Sequence, residues 1–212
     1  MLSVIPARYL ALLSGAFVVV LLVLSFNVGR ATAQQDPPAE GSADAGFARD
    51  MQIHHGQAVE MSILIRDRST NQDIRTMAYD IALTQQQQSG QMFAWLRGWG
   101  LPQASAAAPM AWMHDNPAHQ GGRHSPARDT PSAAPMPGMA SAADLDRLRG
   151  SSGKDADTLF LTLMISHHEG GVTMAEAAVQ RAGTDSVRSL AAKMVASQAA
   201  EITAMRHMLA GS

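Results

Sequence analysis

The sequence predicts an all-α protein: a four-helix bundle made of two duplicated helical hairpins, behind an N-terminal signal or anchor helix. Three observations predict it. Apolar residues recur at helical spacing through residues 44–99 and 155–212, and the pattern breaks at Ser69-Thr70-Asn71, at Gly98 and at Gly183. The two stretches repeat one another without a gap. The chain also opens with an apolar run framed by export signals.

The elements follow in order. Arg8 and the N-terminal amine give a short positive region, and Tyr9 to Val28 is apolar apart from Ser14, Gly15, Ser25 and Asn27. Ala31-Thr32-Ala33 then has the A-x-A pattern of a cleavage site. The run is long for a cleaved signal and just long enough to span a bilayer. Residues 1–33 are therefore a signal peptide or a membrane anchor held by residues 9–28. Either reading places the rest outside the cytoplasm, in the periplasm or at the cell surface. Residues 34–43, polar and rich in Pro and Ala, form a tether. Residues 44–212 form the bundle domain: repeat one (44–99), a Met/His/Pro/Ala-rich connector (100–154) and repeat two (155–212).

Within that domain, helices are expected over 44–68 and 72–97, with Asn71 or Asp73 as N-cap of the second. Gly98, Gly100 and Pro102 end it. The composition of 103–140 suits a mobile loop, and a short helix is expected over 141–149. A third long helix runs over 155–181, with Gly183 suited to its C-terminal cap. Thr184 or Asp185 starts a fourth that ends near Leu209.

FARDMQIHHGQAVEM from Phe47 and FLTLMISHHEGGVTM from Phe160 are the same segment at a constant separation of 113 residues. Met51 matches Met164, His54 matches His167, His55 matches His168 and Met61 matches Met174. The register survives the turn: Arg68 matches Arg181, Ala78 matches Ala191, Gln85 matches Gln198 and Met92 matches Met205. Two antiparallel hairpins, each with one apolar stripe, bury those stripes best against each other. The long connector permits a crossover along the bundle, as in ferritin-like topology.

Composition narrows the chemistry. The chain has 212 residues, a formal net charge of −2 and few aromatics, so it carries no basic footprint for nucleic acid. With no cysteine and 14 methionines, soft ligation falls to Met and His. On a helical wheel Phe47, Met51, His54, Ala58, Met61 and Ile65 share one stripe, with His55 at its edge. Phe160, Met164, His167, Gly171 and Met174 repeat it, with His168 at the edge. His54 and His167 are expected to point into the bundle, and His55 and His168 to sit at its boundary. Adjacent histidines on a helix diverge by about 100°, so a site takes one His from each copy, or a His with a Met of the same stripe. Imidazole suits copper, zinc, iron or nickel, and thioether favours Cu(I). The candidate metal ligands are Met51, His54, His55, Met61, Met164, His167, His168 and Met174, with copper, Cu(I) first, as the ion and zinc or another transition metal as alternatives. Small residues beside them (Gly56, Ala58, Gly170, Gly171) leave room for close approach.

On the second and fourth helices, Thr84, Gln85 and Gln88 match Ser197, Gln198 and Glu201. Gln85 and Gln198 are expected either to hydrogen-bond the histidines, fixing their tautomer, or to lie on the outer surface. The connector holds a second candidate tract in Met110, Met113, His114, His119, His124, Met136 and Met139, which binds soft ions loosely or serves as a spacer.

These segments, with IRTMAYDIALTQ, VRSLAAKMVASQ and PMPGM before the short helix, resemble the bacterial family of the domain of unknown function 305, the CopM-like group, over about Asp44 to Leu209. The resemblance implies a ferritin-like helical fold, export and copper binding at the eight residues named. The copies differ where Glu169-Gly170 stands in place of Gly56-Gln57, which points to unequal halves. A non-enzymatic copper-binding protein for buffering or resistance is the leading functional reading. A structural or sensory bundle in which His and Met merely pack competes with it. A ferritin-like metal oxidase is disfavoured, because no Glu has a His three positions later. A homo-oligomer, a copper-transfer partner and, if the N-terminus is uncleaved, the membrane complete the possible partners.

Overall fold

The computed structural model describes residues 17–26, 36–114 and 136–211. The chain divides between Pro37 and Pro38 into two units. In the first, residues 17–26 of the apolar run form a helix, α1. Among the described residues no helix is long and apolar enough to cross a membrane; the expected cleavage site at Ala31-Thr32-Ala33 lies outside them.

The second unit is all-helical among its described residues: α2 (Ala43–Arg68), α3 (Gln72–Gly98), a 3-10 turn (Ala111–Met113), α4 (Ala142–Gly150), α5 (Gly153–Arg181) and α6 (Asp185–Ala210). Local chemistry sets the boundaries. Ser42 caps α2, and the Asn71 side chain accepts from Asp73 N and Ile74 N to cap α3. Ser141 and Asp144 close a reciprocal capping box at α4. Thr184 caps α6.

α2 pairs with α3 and α5 with α6, and the hairpins meet through α2 and α5. These two run antiparallel. Phe47, Met51, Met174 and Ala178 share one core cluster, while Met61, Ile65, Ala156 and Phe160 share the other. The four-helix, duplicated-hairpin architecture is the one the repeat predicts. A cleft opens between α3 and α6, lined by Asp73, Asp80 and Ile81 of one and Glu201 and Met208 of the other.

Gly183 does not act as a left-handed cap. α5 ends in extended backbone at Ala182, and the turn is held from outside by Asp44 of α2. This buried carboxylate accepts from Gly183 N (2.8 Å), Thr184 N (2.9 Å) and Thr184 Oγ1 (2.7 Å). It ties the start of repeat one to the turn of repeat two. Asp44→Ala leaves two backbone donors without their acceptor, and is expected to cost about 3 kcal/mol in urea unfolding. A loss within experimental error would show that water replaces the carboxylate at no cost.

The connector is not a free loop where it is described. Its first part is gripped by Asp50, which accepts from Met110 N (2.7 Å) and Trp112 Nε1 (2.8 Å). Trp112 stands edge-on to Phe47 with centroids 5.9 Å apart. Arg49 reaches Pro102 O and Glu40. Beyond the undescribed stretch, Gln57 clamps Ala140 in both directions, donating to its carbonyl (3.0 Å) and accepting from its N–H (2.7 Å). Glu60 then pairs with Arg149 of α4. All these grips lie on α2. Sequence composition missed them because the connector offers mostly backbone groups, which any residue carries.

Candidate metal centre

Of the four histidines, His54, His55 and His168 are fully buried and His167 is 1% exposed. His54 and His167 meet across the α2–α5 interface with ring centroids 3.8 Å apart. They point into the bundle as expected. His55 and His168 are not at a boundary. Each is buried and bonds the second helix of its own hairpin, His55 to Gln88 of α3 and His168 to Glu201 of α6. The wheel in isolation places them at an edge because it cannot represent that second neighbour.

Each imidazole uses Nε2 in one hydrogen bond. His167 Nε2 donates to the His54 carbonyl (3.0 Å), a bond between equivalent residues of the two copies. His54 Nε2 donates to the Pro137 carbonyl (3.1 Å). His55 Nε2 bonds Gln88 Oε1 (2.8 Å), and His168 Nε2 bonds the Glu201 carboxylate (2.8 Å). A carbonyl or carboxylate can only accept, so each Nε2 carries the hydrogen and Nδ1 keeps its lone pair. All four Nδ1 atoms are buried without a hydrogen-bond partner. A buried unsatisfied acceptor costs about 1–3 kcal/mol, and four side by side in one core are a standing expense unless something takes the lone pairs.

Neither expectation for Gln85 and Gln198 holds: both are buried rather than on the outer surface, and the partners of the rings are Gln88 and Glu201, one turn further along each helix. Gln85 is buried with neither amide atom bonded, and Gln198 Oε1 also lacks a partner.

The candidate methionines are all fully buried. They divide two and two about the histidines. Met51 and Met174 lie in one cluster with Met92 and Met194, and Met61 and Met164 lie in the other with Met205. Among the described residues no three His, Asp or Glu side chains form a group able to hold a metal ion. Nitrogen and oxygen alone make no such group there; imidazole together with thioether is the donor chemistry that favours a soft ion over a hard one.

Burial also fixes charge. Desolvation pulls His54 down to about 4 and His55 to about 3 from the ordinary 6.5, outweighing their hydrogen bonds to Pro137 and Gln88. His167 is held well below that value, by burial first and by the neighbouring histidines second. These imidazoles are neutral at physiological pH, the state that ligates metal.

The connector closes this centre. Residues 136–140 pass over the histidine pair, with Pro137 O on His54. Gly138 takes φ +74 there, and a Cβ on it would stand 2.2 Å from Ser166 O. Gly170 has no side chain for a similar reason, since a Cβ would meet Pro137 O at 2.0 Å. Gly56, by contrast, faces nothing. The difference between the copies now has a cause: Gln57 grips the strap and Gly170 makes room for it. Met110, Met113 and Met136 pack on the cluster of Met51 and Met174; His119 and His124 lie outside the described residues.

A family model described as a domain of unknown function, DUF305, matches residues 44–209. A Streptomyces coelicolor DUF305 protein described as secreted is 44% identical, with TM-score 0.71 over 82% of this chain and 95% of that one. A DUF305 fragment from Deinococcus radiodurans is 30% identical, with TM-score 0.63 over 80% and 97%. CopM in its Cu(I)-bound form shares the fold at 21% identity, with TM-score 0.58 over 79% and 96%. No curated protein matches the sequence.

Proposed function

The chain belongs to the DUF305 family, and from that premise we propose that it is an exported, non-catalytic protein that binds a soft transition-metal ion, copper(I) before others, for buffering or resistance. The observation that carries this reading is the set of four buried imidazole Nδ1 lone pairs with no partner, each held in one tautomer by a bond at Nε2. Such outer bonds orient ligating histidines and raise their donor strength. Buried thioethers flank them, and thioether prefers Cu(I) or Ag(I) to harder ions. His54, His55, His167 and His168 with Met51, Met61, Met164 and Met174 would supply the ligands. Structures of CopM with Cu(I), Cu(II) and Ag are consistent with this chemistry on the same fold. The export-type N-terminus and the secreted Streptomyces relative support a place outside the cytoplasm.

The test is a titration of the purified protein with Cu(I), Ag(I) and Zn(II), following bound metal and thermal unfolding. Cu(I) at about a thousand times its Kd should stabilise the fold by about 4 kcal/mol. The His54→Ala/His167→Ala double variant should lose that gain. Met51→Leu/Met174→Leu, which conserves volume and removes sulfur, should weaken Cu(I) and Ag(I) uptake while the apo protein stays folded. If neither ion is taken up, the histidines and methionines are packing residues and the reading fails.

A further inference from the structure

The two copies diverge at one position that touches the histidines electrically. Behind His55 stands Gln88, a neutral amide; behind His168, at the matching position, stands Glu201, a carboxylate. Glu201 also lines the cleft of about 380 Å³ between α3 and α6, with Ile81, Met77 and Met208 as its apolar surface and Asp73 and Asp80 completing three carboxylates. Glu201 keeps a quarter of its side chain exposed there, while the His168 to which it bonds is fully buried with an unpartnered Nδ1. The carboxylate thus stands between the cleft and the Nε2–H edge of a buried ring whose Nδ1 has no partner.

Resting on the metal-binding reading above, we infer that the repeats form unequal half-sites, and that the half built on His168 and Glu201 takes the cation first and holds it more tightly. Two physical reasons lead there. A carboxylate on Nε2–H pushes electron density toward Nδ1 more strongly than an amide does, making His168 the better donor. A cation placed in the core needs a compensating charge nearby; Glu201 supplies one in repeat two, and Gln88 supplies none in repeat one. The three carboxylates along an open cleft concentrate cations at that side and raise the association rate. Glu201 is a positioning residue, acting through His168.

The experiment uses the full chain with Ag(I) and Cu(I) as probes, measured by competition titration and stopped flow. The wild-type protein should bind in two resolved steps. Glu201→Gln keeps an acceptor for His168 and removes the charge; it should weaken the tighter step by about 10–100-fold and leave the weaker one in place. Gln88→Glu should tighten the weaker step. In the apo protein, Glu201→Gln should move the ¹⁵N shifts of the His168 ring and not those of His55, which a merely structural role would not do. Asp73→Asn/Asp80→Asn should slow association and flatten its salt dependence with affinities unchanged. One symmetric step in the wild type, or a Glu201→Gln variant that changes both steps equally or neither, overturns the inference and leaves metal binding intact. No uptake by the wild type overturns both.

Discussion

Acid should unfold the metal-free protein over a narrow range. His54, His55 and His167 are all depressed in the native state from an ordinary 6.5, His54 to about 4 and His55 to about 3. Above pH 6.5 both native and unfolded chains hold these rings neutral, and they add no pH dependence. Below it the unfolded chain takes up protons that the native core refuses, so stability falls with falling pH. Each ring contributes about 1.4 kcal/mol per pH unit until its native value is reached. His54 and His55 alone give a slope of about 3 kcal/mol per unit between roughly pH 6 and pH 4, and His167 steepens it until its own native value is reached, enough to exhaust the stability of a domain of this size. Asp50, raised by burial, opposes this at lower pH, with one group against three. Urea unfolding at half-unit pH steps measures the slope, and loading with Ag(I) should move the acid midpoint downward, since ion and proton compete for the same nitrogen. A stability that stays flat from pH 7 to pH 4.5 would mean that the rings are hydrated and already accessible to protons.

Gly170→Ala should be strongly damaging for a change of one methyl. The added carbon would stand 2.0 Å from Pro137 O and 2.4 Å from Pro137 C. Both are backbone atoms, and they cannot swing aside as a side chain can. Either α5 and the strap part, exposing His54 and breaking its bond to Pro137, or the strap detaches. Overpacking of this kind costs about 1–3 kcal/mol, and the lost bond and exposed contacts add to it, so about 4 kcal/mol is expected. Amide exchange at 136–140 should rise sharply, as should protonation of His54. Gly56→Ala, on a face with no neighbour, is the control and should be neutral or slightly stabilising. Equal effects from the two would show that the strap is not seated on α5.

Much of this was legible in the sequence. The repeat located both hairpins, set their apolar stripes against each other and turned His54 and His167 inward, because a duplicated apolar stripe is best buried on its copy; that α2 and α5 run antiparallel and bring these two rings together came from the structure. What a helical wheel could not supply was the second neighbour. It treats the facing hairpin as the only cover, so His55 and His168 looked marginal, and Gln85 and Gln198 looked nearer to the rings than Gln88 and Glu201. The strap was hidden for a different reason: Pro137 acts through a carbonyl, and Met110 and Ala140 act through N–H groups, none of which leaves a mark on residue type. A mark did exist in the mismatches. Arg49 against Thr162, Asp50 against Leu163, Gln57 against Gly170 and Glu60 against Thr173 are positions where α2 has a connector to hold and α5 does not.

The bond from His167 to the carbonyl of His54 also bears on why two repeats sit on one chain. In a homodimer of single repeats, an exact two-fold axis would oblige both central imidazoles to behave alike. Here they do not: one bonds its twin, the other bonds Pro137. Covalent fusion freed the twins from identity and supplied, in the linking segment itself, the second partner that symmetry would have denied. The join between the copies is thereby packed on the histidine pair, and a symmetric dimer of single repeats could make the same contact only by alternating between two equivalent arrangements.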